Sequence, residues 1–279
     1  MQFTKVHGLG NDFVLIDGRR GRQPDYCAVA PRVCHRQTGV GADGILVVLD
    51  SDAADIRMRI INSDGSEAEM CGNGIRAFSK YVYEHGIVNK ETFAVETLDG
   101  VKRPRLLLKN GRVDAVCVDM GQPFVHCEQV PVLGDGLCVD RELHVLGRKF
   151  LYTSVRVGVP HTIVYVDDPA QYDIRTFGCA IEHADVFPQR TNVNFVQAVD
   201  EHTLVMRTWE RGCGPTLACG TGACSAVVAG ALNGRNARTA DVCIELGTLH
   251  IEWADDDHVY MTGPAETVFT GELPDEMLF

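Results

Sequence analysis

The stretch Met70-Cys71-Gly72-Asn73-Gly74 is matched later in the chain by Ala218-Cys219-Gly220-Thr221-Gly222. The two cysteines are 148 positions apart (219 − 71). In both copies a cysteine precedes Gly-x-Gly, and apolar residues then recur at helical spacing. We therefore predict that a helix begins directly after each cysteine.

The same offset of 148 aligns positions outside the two cysteine motifs. Met58-Arg59 lies 13 residues before Cys71, and Met206-Arg207 lies 13 residues before Cys219. A repeated motif at a fixed spacing predicts a duplicated structural unit. The copies are not identical, because Asn62 aligns with Glu210 and Asn11 aligns with Val159.

Short apolar runs separated by glycine-rich turns are typical of strands. The predicted helices are 26–36, 72–84 and 220–232. The predicted strands are 3–8, 13–17, 45–49, 55–62, 93–98, 105–108, 113–120, 150–157, 162–166, 194–198, 204–209, 242–246, 249–254, 259–262 and 267–269. The helix at 220–232 is apolar on all sides, so it must be enclosed by other elements. The pattern predicts an α+β protein of two similar domains, 1–119 with 264–279 and 120–263.

Composition excludes several classes of partner. The formal net charge is −12 and there is no basic run, which argues against binding to nucleic acid or to an anionic membrane surface. No apolar run approaches the roughly 20 residues that cross a bilayer, and no signal peptide is recognisable. We therefore expect a cytoplasmic protein.

Cysteine is frequent, with 11 residues in 279. Four of them lie in apolar or strand-like runs and are predicted to be core thiols: Cys117, Cys138, Cys179 and Cys243. The chain has no Cys-x-x-Cys pair, so we predict neither a metal site nor a dithiol redox centre.

The two repeated cysteines are candidates for catalysis. The first N–H groups of a helix lack helical partners and carry partial positive charge, which stabilises a thiolate and can bind a carboxylate. Two such helix ends around one amino acid would place a sulfur on each face of its α-carbon. One cysteine would remove the α-proton while the other protonates the opposite face. His161 or Glu210 could adjust the cysteines, and Arg211 could bind a second carboxylate.

Together with other short motifs, these residues resemble those of the diaminopimelate epimerases, and the resemblance runs from end to end. The matching motifs are His7-Gly8-Leu9-Gly10-Asn11-Asp12-Phe13, Gly39-Val40-Gly41-Ala42-Asp43-Gly44, Asn62-Ser63-Asp64-Gly65-Ser66, Cys71-Gly72-Asn73-Gly74-Ile75-Arg76, Pro160-His161, Glu210-Arg211-Gly212 and Ala218-Cys219-Gly220-Thr221-Gly222-Ala223.

The resemblance implies a cofactor-independent epimerase that converts LL- to meso-diaminopimelate. It also implies a homodimer whose two pseudo-symmetric domains are each a barrel-like mixed sheet around a central helix, with the active site in the cleft between them. Cys71 and Cys219 match the catalytic pair, and His161 and Glu210 match the residues that tune it. The substrate-binding positions of the family match Asn11, Asn62, Gly72, Asn73, Asn192, Glu210, Arg211, Gly220 and Thr221.

Two positions depart from the family pattern. Val159 stands where the family usually has an asparagine that contacts the distal end of diaminopimelate, and Phe269 stands where many members have a tyrosine at the dimer contact. Related enzymes of this fold racemise other amino acids, including histidine, so a different substrate is one alternative. A non-catalytic amino-acid-binding protein is another. Because Asn62, Asn192 and Arg211 are retained, diaminopimelate is the preferred substrate.

Overall fold

A computed structural model describes residues 1–279. Five α-helices form: α1 Tyr26–Val33, α2 Gly72–Glu84, α3 Ile174–Glu182, α4 Gly220–Leu232 and α5 Asp275–Leu278. The strands are β1 Gln2–Gly8, β2 Asn11–Asp17, β3 Gly44–Leu49, β4 Ile56–Asn62, β5 Glu67–Ala68, β6 Val95–Thr97, β7 Gly100–Lys102, β8 Arg105–Lys109, β9 Arg112–Asp119, β10 Arg141–Val145, β11 Arg148–Val157, β12 Val159–Tyr165, β13 Asn192–Asp200, β14 Thr203–Glu210, β15 Gly214–Thr216, β16 Thr239–Ile244, β17 Gly247–Trp253, β18 Val259–Gly263 and β19 Glu266–Glu272. None of the helices is both long and apolar enough to cross a membrane.

The chain divides into two compact units, of which the first comprises Met1–Val118 and Gly263–Phe279. Its sheet has the strand order β19-β1-β2-β3-β4-β6-β7, and β5 pairs with β4. The pairs β2/β3 and β4/β6 are parallel, whereas β1/β2 and β3/β4 are antiparallel. Helix α2 packs against β1, β2, β3 and β4. The first unit is therefore a mixed sheet that packs on one long helix.

The second unit is Asp119–Thr262. Its strands follow the order β10-β11-β12-β13-β14-β16-β17-β18, with β15 paired to β14. Helix α4 contacts β11, β12, β13, β14, β16 and β17. Every residue of α4 from Gly222 to Gly230 is buried, as its continuous apolar sequence predicts. An α+β protein with two mixed-sheet units is thus confirmed.

The duplication extends to the pairing register. In the first unit Phe13 lies opposite Gly44, and in the second His161 lies opposite Asn192, each 148 positions further on. The antiparallel pair Ile45 and Ile61 recurs as Val193 and Trp209. Helices α2 and α4 have the same length, and both begin directly after a cysteine. The two units are therefore copies of one arrangement of strands and helices.

Several sequence predictions were wrong in detail. Helix α1 ends at Val33 rather than at 36, because the carbonyls of Val33 and Cys34 accept hydrogen bonds from residues 40–42 and not from the next helical turn. Helices α3 and α5 and strands β5, β7, β10 and β15 were not predicted. Cys179 is exposed rather than buried, because it lies on the outer side of α3, and Cys243 is half-buried. Cys117 and Cys138 are buried as predicted.

Candidate active site

Cys71 is the N-cap residue of α2. Its backbone is extended, with φ −144° and ψ 115°, and its Sγ accepts a hydrogen bond from the N–H of Gly74. The distance between Cys71 Sγ and Gly74 N is 3.3 Å. A Cβ at Gly74 would lie in ordinary contact with this sulfur, at 3.5 Å, and closer to Leu46 Cδ2, at 3.3 Å. The helix N-terminus thus supplies a donor to the sulfur.

The side chain of Asn11 also contacts Cys71. Asn11 Oδ1 is 3.5 Å from Cys71 Sγ and 3.3 Å from Asn73 Nδ2. Asn11 Nδ2 donates to Asp43 Oδ2 at 2.8 Å. Because a carboxylate only accepts hydrogen bonds, Asp43 fixes the amide with its oxygen toward the sulfur. Cys71 therefore faces an acceptor as well as the Gly74 donor.

Two cations hold the carboxylates behind Asn11. Arg36 donates to Asp12 Oδ1 and to Asp43 Oδ1 at 2.8 Å each, and Lys5 Nζ lies 2.5 Å from Asp12 Oδ2. Burial acts to raise the pKa of Asp12, but the hydrogen bonds from Arg36 and Lys5 outweigh it and leave that pKa lowered. This ion-pair network keeps Asp43 in place beneath Asn11.

Asn62 lies at the end of β4, where its Nδ2 donates to Ser66 Oγ at 2.9 Å. It pairs with Gly44 across the sheet. A Cβ at Gly44 would lie 2.5 Å from the carbonyl oxygen of Ile61, so only glycine allows this close approach of β3 and β4.

In the second unit Cys219 is the N-cap residue of α4, with φ −135° and ψ 104°. Its Sγ lies 3.5 Å from Thr221 Oγ1. The hydroxyl of Thr221 is in turn 2.9 Å from His161 Nε2. Thr221, which the resemblance places among the ligand contacts, therefore also connects the histidine to the cysteine.

His161 is completely buried on β12. Burial, with a smaller contribution from the charge of Arg211, lowers the pKa of His161 to about 3. The imidazole is therefore neutral near pH 7 and carries one ring proton. Its Nδ1 is 3.0 Å from Asn194 Nδ2, a contact that sequence analysis did not identify.

Asn192, Glu210 and Arg211 lie around the turn after β14. Asn192 Nδ2 donates to the carbonyl of Pro160 at 2.8 Å, and its Oδ1 accepts from the backbone N–H of Arg211 at 2.9 Å. Glu210 Oε1 accepts from Thr216 Oγ1 at 2.6 Å. Asn192 thus holds the backbone of Arg211, whose exposed guanidinium donates to the carbonyl of Gln189.

A buried carboxylate that sequence analysis missed supports this turn. Glu182, at the end of α3, is 2% exposed. Its Oε2 accepts from Trp209 Nε1 at 2.7 Å, and its Oε1 accepts from the N–H of Gly212 at 3.2 Å. These two donors flank Glu210 and Arg211. Helix α3 begins at Ile174, 148 positions after α1 begins at Tyr26. The internal repeat could therefore have predicted α3.

Val159 lies at the start of β12, after Gly158 in a left-handed conformation with φ +70°. Its side chain is 40% exposed, so it makes little contribution to the core of its unit. The contacts thus bring Asn11 and Asn73 together with Cys71, and Thr221 and His161 together with Cys219.

Solved structures share this fold. A phenazine biosynthesis protein of the PhzF family from Bacillus anthracis superposes with a TM-score of 0.71 at 15% sequence identity, covering 98% of this chain and 99% of that one. At this identity the likeness establishes the fold class alone, a two-unit α+β architecture.

Sequence comparison identifies the family. The family model described as diaminopimelate epimerase matches residues 3–125 and 153–268. A diaminopimelate epimerase of Moorella thermoacetica is 52% identical over 98% of this chain and 99% of its own length. Another, from Desulfitobacterium hafniense, is 50% identical over 100% of both chains. The chain belongs to the diaminopimelate epimerase family.

Proposed function

We propose that this protein epimerises LL-2,6-diaminopimelate to meso-diaminopimelate without a cofactor, using Cys71 and Cys219 as the acid and the base. The observation that carries the proposal is the pair of cysteines at equivalent helix N-termini of a duplicated unit. Membership of the family and the 52% identity to the Moorella thermoacetica epimerase support the substrate.

In the proposed reaction one sulfur takes the α-proton and the other supplies a proton from the opposite side. This requires both sulfurs to reach the same α-carbon during turnover. The backbone N–H groups at Gly72-Asn73 and Gly220-Thr221 are proposed to bind the carboxylate next to that carbon and to stabilise the charge that develops on it. Asn11, Asn62, Asn192, Glu210 and Arg211 are proposed to bind the remainder of the substrate.

His161 and Glu210 are proposed to adjust the acidity of the cysteines. His161 reaches Cys219 through the Thr221 hydroxyl, with contacts of 2.9 Å and 3.5 Å. A neutral imidazole can donate one hydrogen bond through this path without placing a buried positive charge beside the sulfur. Replacing His161 should therefore slow the reaction rather than abolish it.

Val159 supports a second candidate, a racemase of another amino acid. Its apolar, 40% exposed side chain cannot hydrogen-bond to a distal amino or carboxylate group. Such an enzyme would use the same two cysteines to racemise an amino acid that lacks the distal amino and carboxylate groups of diaminopimelate.

A turnover assay separates these functions. LL-diaminopimelate and a panel of L-amino acids, including histidine, are incubated with the protein in D₂O and analysed by chiral chromatography and mass spectrometry. We expect meso-diaminopimelate with deuterium at the inverted α-carbon. Turnover of a different amino acid but not of diaminopimelate would support the second candidate. If none of the tested amino acids takes up deuterium at its α-carbon, the protein binds amino acids without catalysing a reaction.

We propose that the sequence-predicted domains, 1–119 with 264–279 and 120–263, each contribute one catalytic cysteine, and that the protein acts as a homodimer in the cytoplasm. The exposed Val268 and Phe269 on β19 support an interface there, with Phe269 47% exposed. Sedimentation of the purified protein tests the dimer.

A further inference from the structure

The hydrogen bonds that reach Cys219 begin beyond His161. Asn194 Nδ2 lies 3.0 Å from His161 Nδ1, and Asn194 Oδ1 lies 3.0 Å from Thr208 Oγ1. Asn194 and His161 are 0% exposed and Thr208 is 4% exposed. Water therefore does not replace these contacts, and Thr208, Asn194, His161, Thr221 and Cys219 form one continuous chain of hydrogen bonds.

The hydrogen bonds in this series can all point in one of two directions. In the first, Thr208 donates to Asn194, Asn194 donates to Nδ1 of His161, and the proton on Nε2 is donated to Thr221. The Thr221 hydroxyl then donates to Cys219, which stabilises a thiolate. In the second direction every donor becomes an acceptor, Nδ1 carries the ring proton, and the Cys219 thiol must supply its own proton to Thr221.

The orientation of Asn194 selects the first direction. Its Nδ2 faces His161, and its Oδ1 faces both Thr208 and the first turn of α4. A Cβ at Gly222 would lie 2.6 Å from Asn194 Oδ1, so glycine lets this oxygen approach the helix. The positive end of the helix dipole favours an amide oxygen here over an amide NH₂ group.

Cys71 has different surroundings, because its Sγ accepts from the N–H of Gly74 at 3.3 Å and also lies 3.5 Å from Asn11 Oδ1. The carboxylate of Asp43 accepts from Asn11 Nδ2 at 2.8 Å, so the Asn11 oxygen must point toward Cys71 Sγ. A thiol can donate to that oxygen, whereas a thiolate would be repelled by it. The second unit thus offers its sulfur the Thr221 hydroxyl, whereas the first unit offers its sulfur both the Gly74 N–H donor and the Asn11 acceptor.

We propose that Asn194 is a positioning residue that holds His161 with its proton on Nε2, so that the Thr221 hydroxyl donates its proton toward Cys219 Sγ. The inference rests on the proposed acid and base roles of the two cysteines.

Nitrogen-15 NMR of the unliganded protein tests the tautomer directly. The ring signals of His161 are assigned by comparison with His161→Gln. We expect a proton on Nε2 and none on Nδ1 at pH 7. A proton on Nδ1 alone would overturn the inference. Because this measurement needs no substrate, it can fail while diaminopimelate is still epimerised, or succeed while it is not.

Alkylation by iodoacetamide, quantified by mass spectrometry, tests the consequence for Cys219. Cys71 in the same molecule is the reference. In Asn194→Leu and Thr208→Val the ratio of Cys219 to Cys71 labelling rates should fall roughly three- to tenfold, because thiolate stabilisation is lost. Thr208→Ser keeps the hydroxyl and should stay within about twofold of the wild-type ratio.

An unchanged ratio in folded Thr208→Val and Asn194→Leu would overturn the proposal. Circular dichroism establishes that each variant is folded. Should Asn194→Leu fail to fold, the comparison of Thr208→Val with Thr208→Ser decides the matter, since the two variants differ in the presence of the hydroxyl.

Discussion

At the scale of residues, an identical position on a helix does not give two cysteines identical chemistry. Cys71 and Cys219 are both N-cap residues with extended backbones. Their neighbours differ, because Asn11 contacts the first sulfur and Thr221 contacts the second. A two-base reaction needs one proton donor and one proton acceptor at a time, and the different neighbours allow the acidity of each sulfur to be set separately.

Replacement of either cysteine tests the acid–base assignment. We expect Cys71→Ala and Cys219→Ala each to reduce the rate of inversion by roughly 100- to 10,000-fold, as for loss of a general acid or base. Chiral chromatography of diaminopimelate measures the rate. The matched control is Cys213→Ala, an exposed cysteine that should leave the rate unchanged. Near-normal inversion by either active-site variant would remove that cysteine from the mechanism.

The burial of neutral His161 predicts a dependence of stability on pH. Its pKa is lowered from 6.5 to about 3, so below pH 6.5 the unfolded chain binds a proton that the folded protein does not. This group should therefore lower the free energy of unfolding by roughly 2 kcal/mol as the pH falls from 6.5 to 5.

Thermal unfolding at pH 7 and at pH 5 measures this effect. We expect the melting temperature of His161→Gln to fall less between the two pH values than that of the wild type, although the variant is less stable at pH 7. The exposed His144 provides the control, because His144→Gln should keep the wild-type pH dependence. Equal pH dependence in His161→Gln would mean that His161 binds a proton as readily in the folded protein as in the unfolded chain.

At the scale of elements, α2 and α4 could be predicted because their start signals are local. Cysteine and glycines mark each beginning, and Gly86 and Gly234 follow each end in left-handed conformations with φ +66° and +65°. Helix α3 was missed although Ile174, Gly178 and Ile181 have helical spacing. Its last residue, Glu182, turns inward and accepts hydrogen bonds from Trp209 and Gly212, which are 27 and 30 residues further along the chain. No sequence pattern indicates these contacts.

Glu182 should therefore affect substrate binding at a distance. In Glu182→Gln the amide NH₂ would face either Trp209 Nε1 or the N–H of Gly212, and both are donors. Leaving one donor without an acceptor costs about 1–3 kcal/mol, and we expect the turn carrying Glu210 and Arg211 to shift. KM for diaminopimelate should rise at least about fivefold, by roughly the equivalent of 1 kcal/mol.

Steady-state kinetics of Glu182→Gln give the comparison with wild type. Glu201→Gln is the control, since Glu201 is exposed in the turn before β14 and its replacement should leave KM unchanged. If Glu182→Gln has a wild-type KM, the turn keeps its conformation without the carboxylate, and Asn192 alone is sufficient to hold it.

At the scale of the whole molecule, the duplication was the feature of the fold that the sequence predicted best. The offset of 148 between Cys71 and Cys219 reappears in strand register, in Phe13 opposite Gly44 and His161 opposite Asn192. The polar networks could not be predicted, because Asp43 and Asn194 are distant in sequence from the candidate residues that they contact, and folding brings them together. Side-chain contacts depend on distances between strands that no local pattern encodes.

The proposed reaction also predicts how the protein responds to oxidation. Two sulfurs that act on opposite sides of one α-carbon must come close together, and a disulfide needs Cα atoms within about 7 Å. We therefore expect diamide to join Cys71 to Cys219 and to remove essentially all inversion activity, and dithiothreitol to restore it. Tryptic mapping by mass spectrometry identifies the joined peptides.

The exposed cysteines supply the control for this experiment. Cys179 and Cys213 are exposed, so they can form adventitious disulfides that have nothing to do with catalysis. The double variant Cys179→Ser, Cys213→Ser should be inactivated by diamide at the wild-type rate. Two results would contradict this prediction: the double variant resists inactivation by diamide, or the inactive protein lacks the Cys71–Cys219 peptide. Either result would mean that the two sulfurs do not meet, and would exclude one active site shared by the two cysteines.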